Sequence, residues 1–158
     1  MHLVPARARR ALSHLAVGGV LVLGSTAFGV HSAGADANSD TWSVVATLQA
    51  ERAWFHLPPL AVDPNLVRYA TYHSEQMAAA HTIFHSASLL SVAAEVPGWQ
   101  EVGENVGMGP NWSWVAYAFA HSPEHLSNIL GNYNRVGVGV VDTSTGVYVT
   151  EEFARAPY

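Results

Sequence analysis

The 158-residue chain contains no cysteine and no lysine. The first absence excludes disulfides, thiol catalysis and Cys-ligated zinc. The second leaves arginine as the only permanent side-chain cation. Three of the seven arginines fall within the first 35 residues, where no acid stands. Beyond residue 35, four arginines face twelve acids, a net of −8. Binding nucleic acid requires cations that neutralise phosphates, so nucleic acid is not an expected partner. An anionic membrane surface is disfavoured for the same reason. Long apolar runs are missing too, once the N-terminal region is passed, so no membrane span is expected after it.

That N-terminal region is itself informative. Arg7, Arg9 and Arg10 form a basic start, "ALSHLAVGGVLVLGSTAFGV" is apolar, and "AGADA" offers small-residue cleavage sites after Ala35 or Ala37. The pattern predicts a signal peptide over residues 1–35, with an uncleaved anchor as the alternative. Residues 36–40, "DANSD", then read as a flexible lead-in to one domain over 41–158. About 120 residues suffice for a packed core without staples. An exported domain without disulfides points to a bacterial protein.

Apolar spacing predicts a first helix from about Thr41 to Phe55, with Trp42, Val45, Leu48 and Phe55 on one side. "LPPL" ends it. Asp63-Pro64 is a helix start with an N-cap and a first-turn proline. The helix it opens carries Leu66, Tyr69, Ala70, His73 and Met77 along one face and ends near His81 or Thr82. Residues 86–100 read as a long loop with room for a short helix. "EVGENVGMGPN" has glycines at 103, 107 and 109 and reads as a turn-rich segment with at most a short strand. A third helix is expected over 112–120, capped by Asn111, and a fourth from Ser122. The chain closes on a hairpin, 135–142 and 147–154, around "TSTG". Helices first and a hairpin last argue for an α+β domain.

Two histidine pairs have metal-ligand spacing. "HSPEH", His121 to His125, matches the H-x-x-E-H of zinc peptidases. Pro123 would break the helix both histidines must share, and Ser122-Pro123 reads instead as a helix start. His81 and His85 sit where the second helix runs out, a place where histidines bond the last carbonyls. His73, on an apolar stripe, reads as a packed core histidine. Arg52 reads as the partner of Glu51 or as a solvated side chain. "WSW" (112–114) reads as one buried and one exposed indole. Motifs for a serine hydrolase or a phosphate-binding loop are missing, and "GVGVVD" (137–142) reads as a strand rather than a dinucleotide turn.

Five segments then occur in a familiar order: "PPLAVDPNLVRYATYHSEQMA", "GENVGMG", "SPEHLSNIL", "NRVGVGVV" and "VYVTEEFA". From about residue 41 to 155 the chain resembles the CAP (SCP-like) extracellular domain, in its disulfide-free bacterial branch. The resemblance implies an α-β-α sandwich with a small antiparallel sheet between helical layers. It also implies a cleft lined by His85, Glu104, Ser122 and His125. Ser122 stands where eukaryotic members carry a second acid. Gln49, His56 and Phe119 replace the Asn, Gly and Trp usual in the family.

By that resemblance His85 and His125 are candidate ligands for zinc or another divalent ion. Glu104 is the only candidate catalytic group, as general base of a metal-dependent hydrolase of peptide or cell-wall bonds. With no hydrolase motif in support, the expected role is not enzymatic. It is a secreted or envelope-associated domain that binds a small apolar ligand, a lipid or an envelope protein. A structural envelope protein with a vestigial cleft is the remaining alternative.

Overall fold

The computed structural model describes residues 33–157. The expected signal peptide lies outside the described residues, apart from its last three positions. The first helix, α1 (Ala33–Trp54), begins eight residues before the expected start, and the segment 36–40 lies within it. Ser43 Oγ donates to the Ser39 carbonyl, one helical turn back.

After the short strand β1 (Ala61–Val62) comes α2 (Pro64–Ala80). Asp63 caps it as expected, its Oδ1 accepting from the amides of Asn65 and Leu66. Next come α3 (Leu89–Ala94), β2 (Glu101–Gly109), α4 (Trp112–His121) and α5 (Pro123–Ile129). The hairpin of β3 (Arg135–Thr143) and β4 (Gly146–Arg155) closes the fold. The sheet order is β1-β3-β4-β2. β2, β4 and β3 pair antiparallel, and β1 adds a two-residue parallel edge that the sequence does not announce.

The period-2 alternation of the strands sorts side chains between two helical layers. Val136, Val138 and Val140 of β3 and Val147, Val149 and Phe153 of β4 pack with Val44, Val45, Leu48, Val115, Phe119 and Ile129 from α1, α4 and α5. Each such side chain removed from water contributes roughly 1.5–3 kcal/mol. On the opposite face Leu66 of α2 packs with Val92, Val96, Ala154 and Ala156, and Met77 with Val106 and Tyr148. The architecture is therefore α-β-α.

The "GVGV" glycines set how closely α2 approaches. A Cβ at Gly137 or Gly139 would run into the backbone of Leu66–Val67 or Ala70–Thr71. The same reason corrects the reading of residues 101–109. They form a nine-residue strand rather than turns, because their glycines make room for side chains instead of reversing the chain. Tyr133 and Asn128 sit against Gly103, Phe119 against Gly107, and Trp114 against Gly109.

Candidate functional site

Glu104 projects from the middle of β2 towards the α2 layer and is buried. The loop after α2 folds over it. Ser86 donates its backbone N–H to Glu104 Oε1 at 2.9 Å and its hydroxyl to Oε2. His85 Nδ1 lies 2.7 Å from Oε1. A carboxylate only accepts, so Nδ1 carries a proton, and in the neutral form of the ring the lone pair lies on Nε2. The His85 side chain is 64% exposed, against 1% for Glu104. The acid thus holds the imidazole from behind, and the ring stands at the mouth of a cleft of about 250 Å³. His85, Ser86, Leu89, Val102, Gly103, Glu104 and Asn128 line it.

Burial works to raise the Glu104 pKa. Hydrogen bonds from the Ser86 hydroxyl, Glu152, the Ser86 amide and His85 outweigh it and hold the carboxyl below its ordinary value. His73, buried on α2, donates Nε2–H to the Phe84 carbonyl at 2.9 Å, and that nitrogen lies 3.7 Å from Glu104 Oε2. It is the packed histidine its position on the apolar stripe implied.

The other two expected cleft residues belong to the start of α5. Ser122 occupies the N-cap position, but its hydroxyl makes no capping bond. His125 packs its ring on Phe119, with centroids 4.8 Å apart, and its Nδ1 is buried without a hydrogen-bond partner. Burial lowers the His125 pKa; Glu124 pulls it up and His85 pushes it down. The two histidines therefore sense each other, yet neither His125 nor Ser122 lines the cleft that His85 and Glu104 share.

Asn128, one helical turn past His125, ties the parts together. Its Nδ2 donates to the Glu104 carbonyl at 3.0 Å and to Asn105 Oδ1 at 2.9 Å. Asn105, fully buried, donates to the His125 carbonyl and to Glu151 Oε2. Burial pushes the Glu151 carboxyl up to about 7, partly offset by Asn105.

"HSPEH" forms no zinc-peptidase face. His121 ends α4, stacked on Tyr117 with Nδ1–H donated to the Tyr117 carbonyl. His125 belongs to the next helix. His81 is the left-handed C-cap of α2, and His85 lies in the loop beyond. Among the described residues no group of three or more His, Asp or Glu is disposed to hold a metal ion. Glu104 also has little to offer one, because its oxygens already accept from Ser86 and His85. The donor set does not fit a resident three-ligand metal.

Sequence reasoning missed Ser86, which makes two of the bonds to Glu104. It also missed the buried acids of "TEEF". Glu152 is opposite Glu104 in the β2–β4 register. Burial, then the charge of Glu104 and a hydrogen bond with it, push the Glu152 carboxyl up to about 10. Two adjacent acids in a strand covered on both faces were the available signal, since one must point into each layer.

The family model for the cysteine-rich secretory protein (CAP) family matches residues 45–153. The chain belongs to this family. Similar folds support the assignment. An extracellular protein containing an SCP domain from Bacillus anthracis shares 26% identity at a TM-score of 0.63, over 75% of this chain and 41% of that one. A cysteine-rich secretory protein from Staphylococcus aureus shares 20% identity at a TM-score of 0.61, over 75% and 39%. An outer surface protein from Borrelia burgdorferi gives a TM-score of 0.70 at 16% identity, over 77% and 96%. This CAP domain thus spans about two fifths of the Bacillus and Staphylococcus chains and nearly all of the Borrelia one. No curated protein sequence matches it. Among the described residues no helix is long and apolar enough to cross a membrane.

Proposed function

We propose that this CAP domain is exported and acts at or outside the cell envelope as a ligand- or partner-binding module, with the cleft at His85 and Glu104 as its recognition site. One observation carries the reading. The His85 ring is anchored through Nδ1 on a buried acid and exposed at the mouth of an open cleft. An anchored polar group amid apolar surface is what a selective binding site needs. Apolar surface is at hand: Leu89 lines the cleft, and Ile83 and Phe84, just before His85, are exposed. The fitting occupant is a small apolar ligand, a lipid or an envelope protein that offers a polar group to the ring. The location draws on the Bacillus relative, which is described as extracellular.

A divalent ion on His85 and His125 would be a two-imidazole site, weak and without Glu104. The hydrolase reading needs Glu104 as a base, and its lone pairs are occupied. The test is NMR of the full chain with a short-chain phosphatidylcholine, a fatty acid and soluble cell-wall fragments as probes. Shifts at the His85 ring and the Gly103 amide that vanish in His85→Ala support the reading. If no probe moves them and His85→Ala alters only stability, the cleft is scaffold.

A further inference from the structure

The interior behind His85 contains an electrostatic conflict. Glu152 is 0% exposed, and as a carboxylate neither of its oxygens has a hydrogen-bond donor. Its neighbour across the β2–β4 ladder is Glu104. Side chains directly opposite on one sheet face have Cβ atoms roughly 5 Å apart, which brings the two carboxyls within reach of one another, and each acts on the other through a hydrogen bond. Among the described residues no arginine pairs with either of them. Arg52 bonds backbone carbonyls, Arg68 pairs with Glu95, Arg135 with Asp63 and Arg155 with Glu101.

From α2, His73 approaches Glu104 with a nitrogen already donated to Phe84. From the following loop, His85 and Ser86 bond Glu104, and Tyr69 of α2 reaches only the Ser86 hydroxyl. β3 presents Gly137, which has no side chain. Glu151 points to the opposite face, onto Asn105.

Two carboxylates in contact and out of water cannot both stay ionised. One proton resolves the conflict. Placed on Glu152, it turns that carboxyl into a donor, and Glu104 into its acceptor. Glu104 then accepts from the Ser86 amide, the Ser86 hydroxyl, His85 Nδ1 and Glu152. Four donors match the four lone-pair sites of a carboxylate.

We propose that Glu104 and Glu152 share one proton as a buried acid pair, with Glu152 the neutral member, and that Glu152 is thereby the positioning residue for His85. It completes the set of donors that fixes Glu104. Glu104 in turn fixes the His85 Nδ1–H tautomer and leaves Nε2 as an acceptor at the cleft. A ligand group meeting that nitrogen presents a hydroxyl or an N–H. This last step rests on the cleft being a recognition site; the acid pair does not.

The experiment is NMR of the full chain carrying ¹³C-labelled glutamate carboxyls and ¹⁵N-labelled histidine rings, from about pH 5 to pH 8. Glu152 is expected to keep a protonated carboxyl and Glu104 an ionised one across this range. Glu104→Gln removes the charge facing Glu152, and the Glu152 titration moves down. Glu152→Gln, whose amide still donates, retains the Nδ1–H form of His85. Glu152→Leu, which cannot donate, shifts the ring population towards Nε2–H. An ionised Glu152 at neutral pH in the unmutated protein overturns the pair. Loss of the Nδ1–H form in Glu152→Gln, or its full retention in Glu152→Leu, overturns the positioning role. Where the leucine variant does not fold, Glu152→Ala, which cannot donate either, decides the positioning role in its place, and the unmutated protein decides the pair. A cleft that binds no ligand leaves all these spectra as they are, so the two ideas fail separately.

Discussion

Asn128 Nδ2 lies 2.9 Å from Asn105 Oδ1, and this contact joins α5 to the strand that carries Glu104. Asn105 passes the link on to the His125 carbonyl and to Glu151. Asn128→Ala is expected to cost roughly 1–2 kcal/mol, and Asn105→Ala more, because it also strands the buried Glu151 carboxyl. Urea denaturation of the two single variants and the double variant should show non-additive losses. Simple additivity would mean that the two side chains act independently.

Arg52 is 2% exposed, and its guanidinium bonds backbone carbonyls rather than an acid. Neither expected environment, ion pair with Glu51 or solvated face, is observed. Its guanidinium donates to the carbonyls of Pro58, Ile129 and Gly131. One side chain thus ties the loop after α1 to the end of α5. Five fixed donors make arginine suited to this task. Arg52→Met keeps much of the volume but strands the carbonyls, and is expected to lower stability by roughly 3 kcal/mol or more. A loss below about 1 kcal/mol would show that water replaces the guanidinium.

Departures from the family pattern yield a stabilising change. His56 adopts φ 59°, the left-handed conformation that favours glycine. Its side chain is exposed, so little contact is lost on removal. His56→Gly is expected to raise stability by about 1 kcal/mol, since the left-handed strain exceeds the added chain entropy. Gln49 is a different case. Its amide bonds both the N–H and the carbonyl of Leu60. It holds the chain just before β1 as a neighbouring strand would, and Gln49→Ala should not be neutral.

These examples show what was legible in the sequence and why. Asp63 and Asn111 cap their helices because each pairs a short polar side chain with a following helical pattern, a purely local signal. The hairpin at residues 143–146 was local as well. The glycines of β2 were misread because glycine marks both turns and close approach, and only the tertiary contact with Phe119 and Tyr133 separates the two. At the site, the resemblance set His85 and Glu104 at one cleft, and both line the same cleft, whereas Ser86 looks like any loop serine. Glu152 was illegible for a physical reason: an acid at a core position normally argues against the core. Its proton is not written in the sequence.

Stability should depend on pH in an unusual direction. Glu151 and Glu152 have folded-state pKa values raised to about 7 and about 10 from an ordinary 4.5. Between 4.5 and those values the folded state binds more protons than the unfolded one, so stability falls as pH rises. Glu104 is shifted the other way, and its contribution is lost as pH falls below the ordinary carboxylate range. His125, lowered by burial, adds stability as pH rises, but only up to about its ordinary value of 6.5. Above about pH 7, Glu152 dominates, at up to roughly 1.4 kcal/mol per pH unit. The melting temperature is expected to drop from pH 7 to pH 9, and Glu152→Gln to remove most of that drop. A flat profile in the unmutated protein would contradict a buried neutral acid.

Zinc offers a last discrimination, because it asks whether Glu104 has an oxygen to spare. A carboxylate that accepts from Ser86, His85 and Glu152 can join a metal only by releasing one of them. Calorimetric titration of zinc into the full chain is therefore expected to reveal no tight site. Binding at two imidazoles alone would be weakened by His85→Ala and by His125→Ala, and indifferent to Glu104→Gln. Lowering the pH should release such zinc as the rings protonate. A tight site weakened by Glu104→Gln would place the carboxylate on the metal. That outcome would require His85 or Ser86 to leave Glu104 on binding, and would reopen the hydrolase reading with Glu104 as a metal ligand rather than as a free base.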